Sequence, residues 1–242
     1  MATNWQTFPI EFKGGLISNL SPLQQGSNAV GSATILQNFE PARSGGYSKV
    51  LGYTKATNNI IPGTGRVLGV KVANIGEYVA ARSDGASPPK TEYHRSSGGT
   101  WSSLGKAALL GGKIRSAEYN FGAGDFILFV DGSNYPALFN DTANSLSFIS
   151  SLSDLQGAEQ VAIFKTTVFF SKGSNLYFSA PSDSGDFSAA NGAGTINVGA
   201  DITGLSVFRE TLFIFTNESI FRMSGSTIAD FKLDPVTRDI GC

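Results

Sequence analysis

The sequence predicts an all-β protein, a β-propeller or propeller-like array of antiparallel blades, complete or incomplete, preceded by an irregular N-terminal arm. Three observations carry this expectation. First, a segment occurs twice: VAIFKTTVFFSKGSNLYFS from Val161 to Ser179 and LSVFRETLFIFTNESIFRM from Leu205 to Met223, an offset of 44 residues. Phe164, Thr167 and Phe169 recur as Phe208, Thr211 and Phe213, while Lys165 pairs with Arg209 and Leu176 with Ile220. A repeat of about 40 to 50 residues with strand-like patterning is the signature of a propeller blade. Second, 29 glycines and 18 phenylalanines in 242 residues suit tight turns and bulky inward strand positions. Third, no stretch sustains an apolar i, i+3, i+4, i+7 stripe over three turns. Only Ala29–Asn38 and Ser151–Gln156 read as short helical candidates.

Taken in chain order, residues 1–65 form a polar, glycine-punctuated arm or adaptor-contacting segment with no copy of the repeat. Gly14-Gly15, Ser21-Pro22 and Gly45-Gly46 mark turns within it, and Pro62-Gly63 leads into the blades. Residues 66–242 hold the blades, with starts near Val67, Ile114, Val161 and Leu205 at spacings of 47, 47 and 44 residues. Val67–Arg82 is the faintest copy. The second blade repeats a turn motif, since Asp131-Gly132-Ser133-Asn134 parallels Lys172-Gly173-Ser174-Asn175. Phe126–Val130 and Leu212–Phe215 are fully apolar runs bounded by turn residues, as expected of central strands buried on both faces. In Leu176-Tyr177-Phe178, period-two geometry sends Leu176 and Phe178 to one face and Tyr177 to the other, so packing between blades explains these aromatics without a stacked ligand. Asp183–Gly194 reads as a long small-residue loop on the rim.

Charge and cysteine content narrow the function classes. Eighteen basic and 19 acidic side chains give a formal charge of −1 with no block of either sign, so electrostatic capture of nucleic acid is not indicated. A near-neutral surface is compatible with a channel through which DNA slides. The single cysteine, Cys242, permits no intramolecular disulfide and no cysteine metal cluster, which suits folding in a reducing cytoplasm. The opening MATNWQTFPIEFK lacks the features of an export signal, and no apolar run approaches the roughly 18 to 20 residues that span a bilayer. A soluble protein without membrane contact is expected.

Propellers also host hydrolases, and the sequence has fragments of such chemistry. Gly98-Gly99-Thr100-Trp101 and Asp183-Ser184-Gly185-Asp186-Phe187 resemble Asp-box turns, but Ser96 replaces the Asp of the first, and Phe187 and Ser188 replace the Thr and Trp of the second. Both read as hairpin turns. Asp183, Asp186 and Asp201 do not impose the paired-carboxylate geometry of a glycosidase, and loop solvation or a lone calcium accounts for them. His94 is the sole histidine, and with no Gly-x-Ser-x-Gly elbow to pair with it, it reads as a solvent-facing strand residue flanked by Tyr93 and Arg95. Gly122-Ala123-Gly124 precedes a strand, where a phosphate cradle must precede a helix. The expectation is therefore of no catalytic, cofactor-binding or metal-binding residues and no cofactor.

Two regions resemble a known family. Gly14-Gly15-Leu16, Ala33, Asn38-Phe39-Glu40-Pro41, Gly45-Gly46 and Gly52-Tyr53 look like the N-terminal signature of the tail nozzle proteins of short-tailed bacteriophages, also called tail tubular protein B or phage stabilisation proteins. Leu176-Tyr177-Phe178-Ser179, Asp186-Phe187, Ile202-Thr203-Gly204-Leu205, Leu212–Thr216 and Ile220-Phe221 are similar to a series in the same family. The resemblance implies a non-enzymatic virion protein of the tail, made in the host cytoplasm. It would form a homo-oligomeric ring, a hexamer, below the portal and tail adaptor, enclosing the DNA exit channel without specific DNA binding and anchoring fibres or spikes. Residues 10–55 are expected to contribute to the ring's interfaces. Family members are longer, and Asp239-Ile240-Gly241-Cys242 resembles a stretch that further blades follow, which implies a truncated chain. The competing expectation is a carbohydrate-binding or glycan-cleaving propeller.

Overall fold

A computed structural model describes residues 15–16, 33, 35, 37–41, 47–52, 54–57, 59–74, 77–238 and 240–241. The chain divides into two compact units, Met1–Lys55 and Ala56–Cys242. In the first, strands β1 (Phe39–Pro41) and β2 (Tyr47–Lys49) form an antiparallel pair with Glu40 opposite Ser48. Leu16 and Ala33 form a parallel bridge, with the Ala33 amide donating to the Gly15 carbonyl over 2.9 Å. Gly14, Ser21-Pro22, Gly45-Gly46, Tyr53, most of Ala29–Asn38, Asp239 and Cys242 lie outside the described residues.

The second unit is four antiparallel sheets of four strands, each a simple meander in chain order. The first contains β3 (Val67–Asn74), β4 (Glu77–Ser83), β5 (Thr91–Ser97) and β6 (Thr100–Lys106). The second contains β7 (Arg115–Tyr119), β8 (Phe126–Val130), β9 (Ala137–Asn140) and β10 (Ser145–Phe148). β11 (Gln160–Phe164), β12 (Thr167–Lys172), β13 (Asn175–Phe178) and β14 (Gly194–Asn197) make the third. β15 (Ile202–Phe208), β16 (Thr211–Thr216), β17 (Ile220–Ser224) and β18 (Lys232–Thr237) make the fourth. The sheets begin within a few residues of the starts expected from the repeat. The chain is thus an all-β, propeller-like array of blades, and the short helical elements among the described residues are 3-10 turns at Ser153–Leu155 and Ala189–Asn191.

Local chemistry explains the meanders. At the β15–β16 hairpin Arg209 and Glu210 take φ of 45° and 64°, the paired positive values of a two-residue turn whose twist matches the flanking strands. Gly132 and Gly173, from the repeated turn motif, supply positive φ at the β8–β9 and β12–β13 turns. Lys172 sits opposite Asn175 as a result, and the register that follows places Phe169 beside Phe178 and Phe170 beside Tyr177.

Neighbouring sheets pack face to face through three apolar clusters. Val79, Ala81 and Tyr93 of the first sheet meet Ile127, Phe129 and Phe139 of the second. Leu128 and Val130 meet Val168, Phe170 and Tyr177 of the third. Phe164, Phe169, Leu176 and Phe178 meet Leu212, Ile214 and Met223 of the fourth. Tyr177 therefore points to one neighbour and Leu176 and Phe178 to the other, as period-two geometry requires. First strands lie side by side, β7 against β11 and β11 against β15. β3 is joined to the second sheet by the Ile114 amide on the Leu68 carbonyl (3.2 Å) and by Lys71 on Glu118 (3.1 Å).

The two apolar runs behave differently. β8 is buried on both faces from Ile127 to Val130. β16 alternates, with Leu212 and Ile214 fully buried and Phe213 and Phe215 only half-buried. This corrects the expectation of burial on both faces for Leu212–Phe215. The reason is positional, because among the described residues the second sheet packs against two neighbours and the fourth against one.

Candidate functional site

The chemistry-bearing side chains gather in three places in the second unit, and the first is the face of the opening sheet turned away from the second sheet. Strand register puts Val70, Ala80, His94 and Ser103 in one row across that face, with Val72, Tyr78, Ser96 and Trp101 in the next. His94 is 3% exposed, which corrects the expectation of a solvent-facing histidine. Arg82 lies on the same face. Its Nη1 donates to the Ile61 and Pro62 carbonyls (2.6 and 2.9 Å) and its Nη2 to Gly65, binding that segment beside the sheet. The Trp101 indole N–H donates to the Asn59 carbonyl over 3.0 Å and fastens the same segment further along.

His94 Nε2 lies 3.5 Å from Glu92 Oε2, yet neither ring nitrogen completes a hydrogen bond, and Ser96 Oγ is likewise buried without a partner. Burial pushes the His94 pKa below the ordinary histidine value, with Glu92 opposing the shift and Arg82 and Lys106 reinforcing it. The ring is neutral at neutral pH. Glu92, His94 and Ser96 occupy alternate positions of one strand, a serine, histidine and acid in a row. They lack the histidine–serine hydrogen bond by which a base activates a nucleophile.

The second place is a buried polar knot between the first and second sheets. Asp131 Oδ1 accepts from the Ser133 and Asn134 amides (3.0 and 2.8 Å), and its Oδ2 accepts from Asn134 Nδ2 (2.7 Å) and the Thr91 hydroxyl (3.5 Å). Asn134 in turn grips the Leu109 backbone, accepting its N–H at 2.8 Å and donating to its carbonyl at 2.9 Å, while the Gly111 amide donates to Thr91 Oγ1. Asp131 thus ties the turn to Thr91 of β5 and Asn134 ties it to Leu109 of the linker between sheets, so the knot positions blades. A Cβ on Gly111 would fall on the Asp131 carboxylate, which explains glycine there.

The third place is a cleft between the second and third sheets. Phe121, Tyr119 and Phe126 form a ladder with ring centroids 4.4 and 5.3 Å apart, and the Tyr119 hydroxyl donates to Ser184 Oγ over 2.6 Å. Ser182–Gly185 and Leu138 complete the walls of a cavity of about 360 Å³. The nearby carboxylates are engaged locally: Asp125 accepts from Asn120 at 2.9 Å, and Asp183 accepts from the Gly185 amide at 2.8 Å. Asp186 accepts from the Ser188 amide and from Asn191, contacts that hold its carboxyl below the usual range. Asp183 and Asp186 thus shape the rim loop as turn residues, and Asp201 is not gathered with them into a carboxylate pair. Among the described residues no three of His, Cys, Asp and Glu converge as a metal site.

One feature of the repeat escaped the sequence reading. Asp186-Phe187 recurs as Asp230-Phe231 at the same offset of 44 residues. In each copy the aspartate caps its loop and the phenylalanine packs against the apolar cluster at the junction with the preceding sheet. Phe187 lies 6.2 Å from Phe170, and Phe231 lies 6.4, 5.7 and 5.5 Å from Phe164, Phe169 and Phe178. Aligning the loops together with the strands would have revealed it.

No family model matches the chain, and no curated protein matches it. Among solved structures it is similar to Sqt1 of Saccharomyces cerevisiae, at 8% identity and a TM-score of 0.39 over 73% of this chain, and to the AfRom2 CNH domain, at 8% identity and a TM-score of 0.44 over 78%. The chain spans 62% of the length of each. Among the described residues no helix is long and apolar enough to cross a membrane.

Proposed function

We propose that the chain is a structural subunit of a phage tail nozzle ring, extending the DNA ejection channel below portal and adaptor without catalysis. The observation that carries the reading is the combination of a blade array with the two sequence regions, Gly14–Tyr53 and Leu176–Phe221, that resemble the nozzle family. Residues 1–65 would meet the adaptor, and the blades would form the ring wall. The near-neutral charge suits a wall past which DNA slides, because dense phosphate neutralisation would retain the polymer. Virion location, fibre or spike attachment and a hexameric ring belong to the same reading.

Co-expression with a portal and an adaptor of a short-tailed phage tests it. The reading expects a co-purifying complex that is lost when residues 10–55 are removed, and recovery of the full chain free of both partners counts against it. The aromatic ladder of Tyr119, Phe121 and Phe126 favours one other reading, a carbohydrate-binding propeller, since half-buried aromatic rings lining a cleft can stack on sugars. Binding on a glycan array that Phe121→Ala abolishes would favour it instead.

A further inference from the structure

The Asp131 knot borders a cavity of about 510 Å³ between the first and second sheets, lined in part by Asn134. Backbone hydrogen bonds fix its walls. The Ala107 amide donates to the Thr91 carbonyl (2.8 Å) and the Thr91 amide to the Leu109 carbonyl (3.0 Å), which holds the linker after β6. The Ile149 amide donates to the Pro136 carbonyl (2.9 Å), which holds the end of β10. Ala107, Ala108 and Phe148 supply apolar surface, with the Phe148 ring edge-on to buried Tyr93 at 6.4 Å. The Asn134 amide is already engaged with Leu109 and Asp131, so it shapes the space instead of offering a contact.

Four other lining side chains, those of Lys90, Tyr135, Ser150 and Gln156, have no hydrogen-bond or ion-pair partner among the described residues. Lys106, the second cation on the wall, is already matched: its Nζ lies 3.1 Å from Asp84 Oδ2 and 3.9 Å from Glu92 Oε2. Asp84 also accepts from the Lys90 and Ala86 amides at 2.9 and 3.1 Å. These amides, with Lys106, hold its pKa down to about 2, so it stays ionised opposite Lys106. Neither Asp84 nor Glu92 lines the cavity, and no other carboxylate does. The cavity therefore offers one cation without an acidic partner, three uncommitted neutral polar groups and an apolar wall.

We infer that this cavity binds a monoanionic, hydroxylated ring, a uronic acid unit of an acidic glycan. One unmatched ammonium is complemented by one negative charge, which a carboxylate supplies and a dianionic phosphate exceeds. The hydroxyls of Tyr135 and Ser150 and the amide of Gln156 both donate and accept, as sugar hydroxyls do. Half-buried Tyr135 and Phe148, with the two alanines, offer the apolar surface against which the C–H face of a pyranose packs. The volume suits a small-molecule site. The cavity shares no lining residue with the cleft at Tyr119 and Phe126. The inference goes beyond the ring reading and stands or falls without it.

Titration of the isotope-labelled full chain with methyl glucuronide, followed through its amide NMR signals, tests it. Shifts are expected at Lys90, Ala108, Tyr135 and Ser150, with the neutral methyl glucoside binding about tenfold more weakly. Lys90→Gln is expected to bring the glucuronide down to the affinity of the glucoside, while Lys90→Arg keeps most of it. Thermal unfolding is expected to be unchanged in both variants, because the Lys90 side chain is exposed. Equal binding of glucuronide and glucoside, or glucuronide binding that survives Lys90→Gln, would overturn the assignment. So would an absence of shifts at millimolar sugar, or shifts centred on Tyr119 and Phe126, which would put the sugar in the aromatic cleft. Acetate or inorganic phosphate binding as tightly as the glucuronide would mean an anion site without sugar recognition and overturn the ligand class. None of these outcomes bears on ring assembly.

Discussion

At the residue scale, matched positions of the repeat separate burial from identity. Phe169 sits among Phe164, Phe178 and Phe231 with centroids 5.6 to 6.2 Å away. Phe169→Ala is expected to cost about 3–5 kcal/mol in chemical denaturation, the usual toll of a large core truncation, whereas exposed Phe208→Ala is expected within about 0.5 kcal/mol of wild type. His94 gives a pH prediction. Its folded pKa lies below the unfolded value of about 6.5, so the unfolded chain binds the proton first as pH falls. The contribution is fully present above the unfolded pKa and is lost as pH drops through the folded one. The denaturation midpoint is expected to fall between pH 7 and pH 5, and His94→Gln is expected to flatten that slope. His94 itself was legible as the only histidine, but its burial was not, because strand alternation assigns a side chain to a face without saying whether that face is covered.

At the element scale, the blades were readable because neighbouring strands in a meander are also neighbours in sequence, so the repeat period records the sheet directly. The alternation of Leu176, Tyr177 and Phe178 was readable for the same reason. What sequence could not supply was the number of neighbours each sheet has, and that decided the half-buried face of β16. The knot at Asp131 was also hidden, since Thr91, Leu109, Gly111 and Asn134 converge on it from three segments. Asp131→Ala strands several buried donors and is expected to destabilise by about 2–3 kcal/mol, read as a lowered urea midpoint. Arg82→Met should release the segment before β3. Limited proteolysis is expected to cut between Asn59 and Gly65 at least tenfold faster in that variant, and an unchanged rate would show that the carbonyl contacts do not hold the segment.

At the scale of the whole molecule, the candidate site that sequence reasoning sought in individual side chains is better described as surface. The serine, histidine and acid of β5 are aligned without a nucleophile–base bond, and the rim carboxylates are consumed by their own turns. In the nozzle reading proposed above, the chain acts by assembling with copies of itself. Native mass spectrometry of the purified full chain is the most direct test of that account. It predicts a discrete closed oligomer of identical copies, and a clean monomer at all accessible concentrations would contradict it.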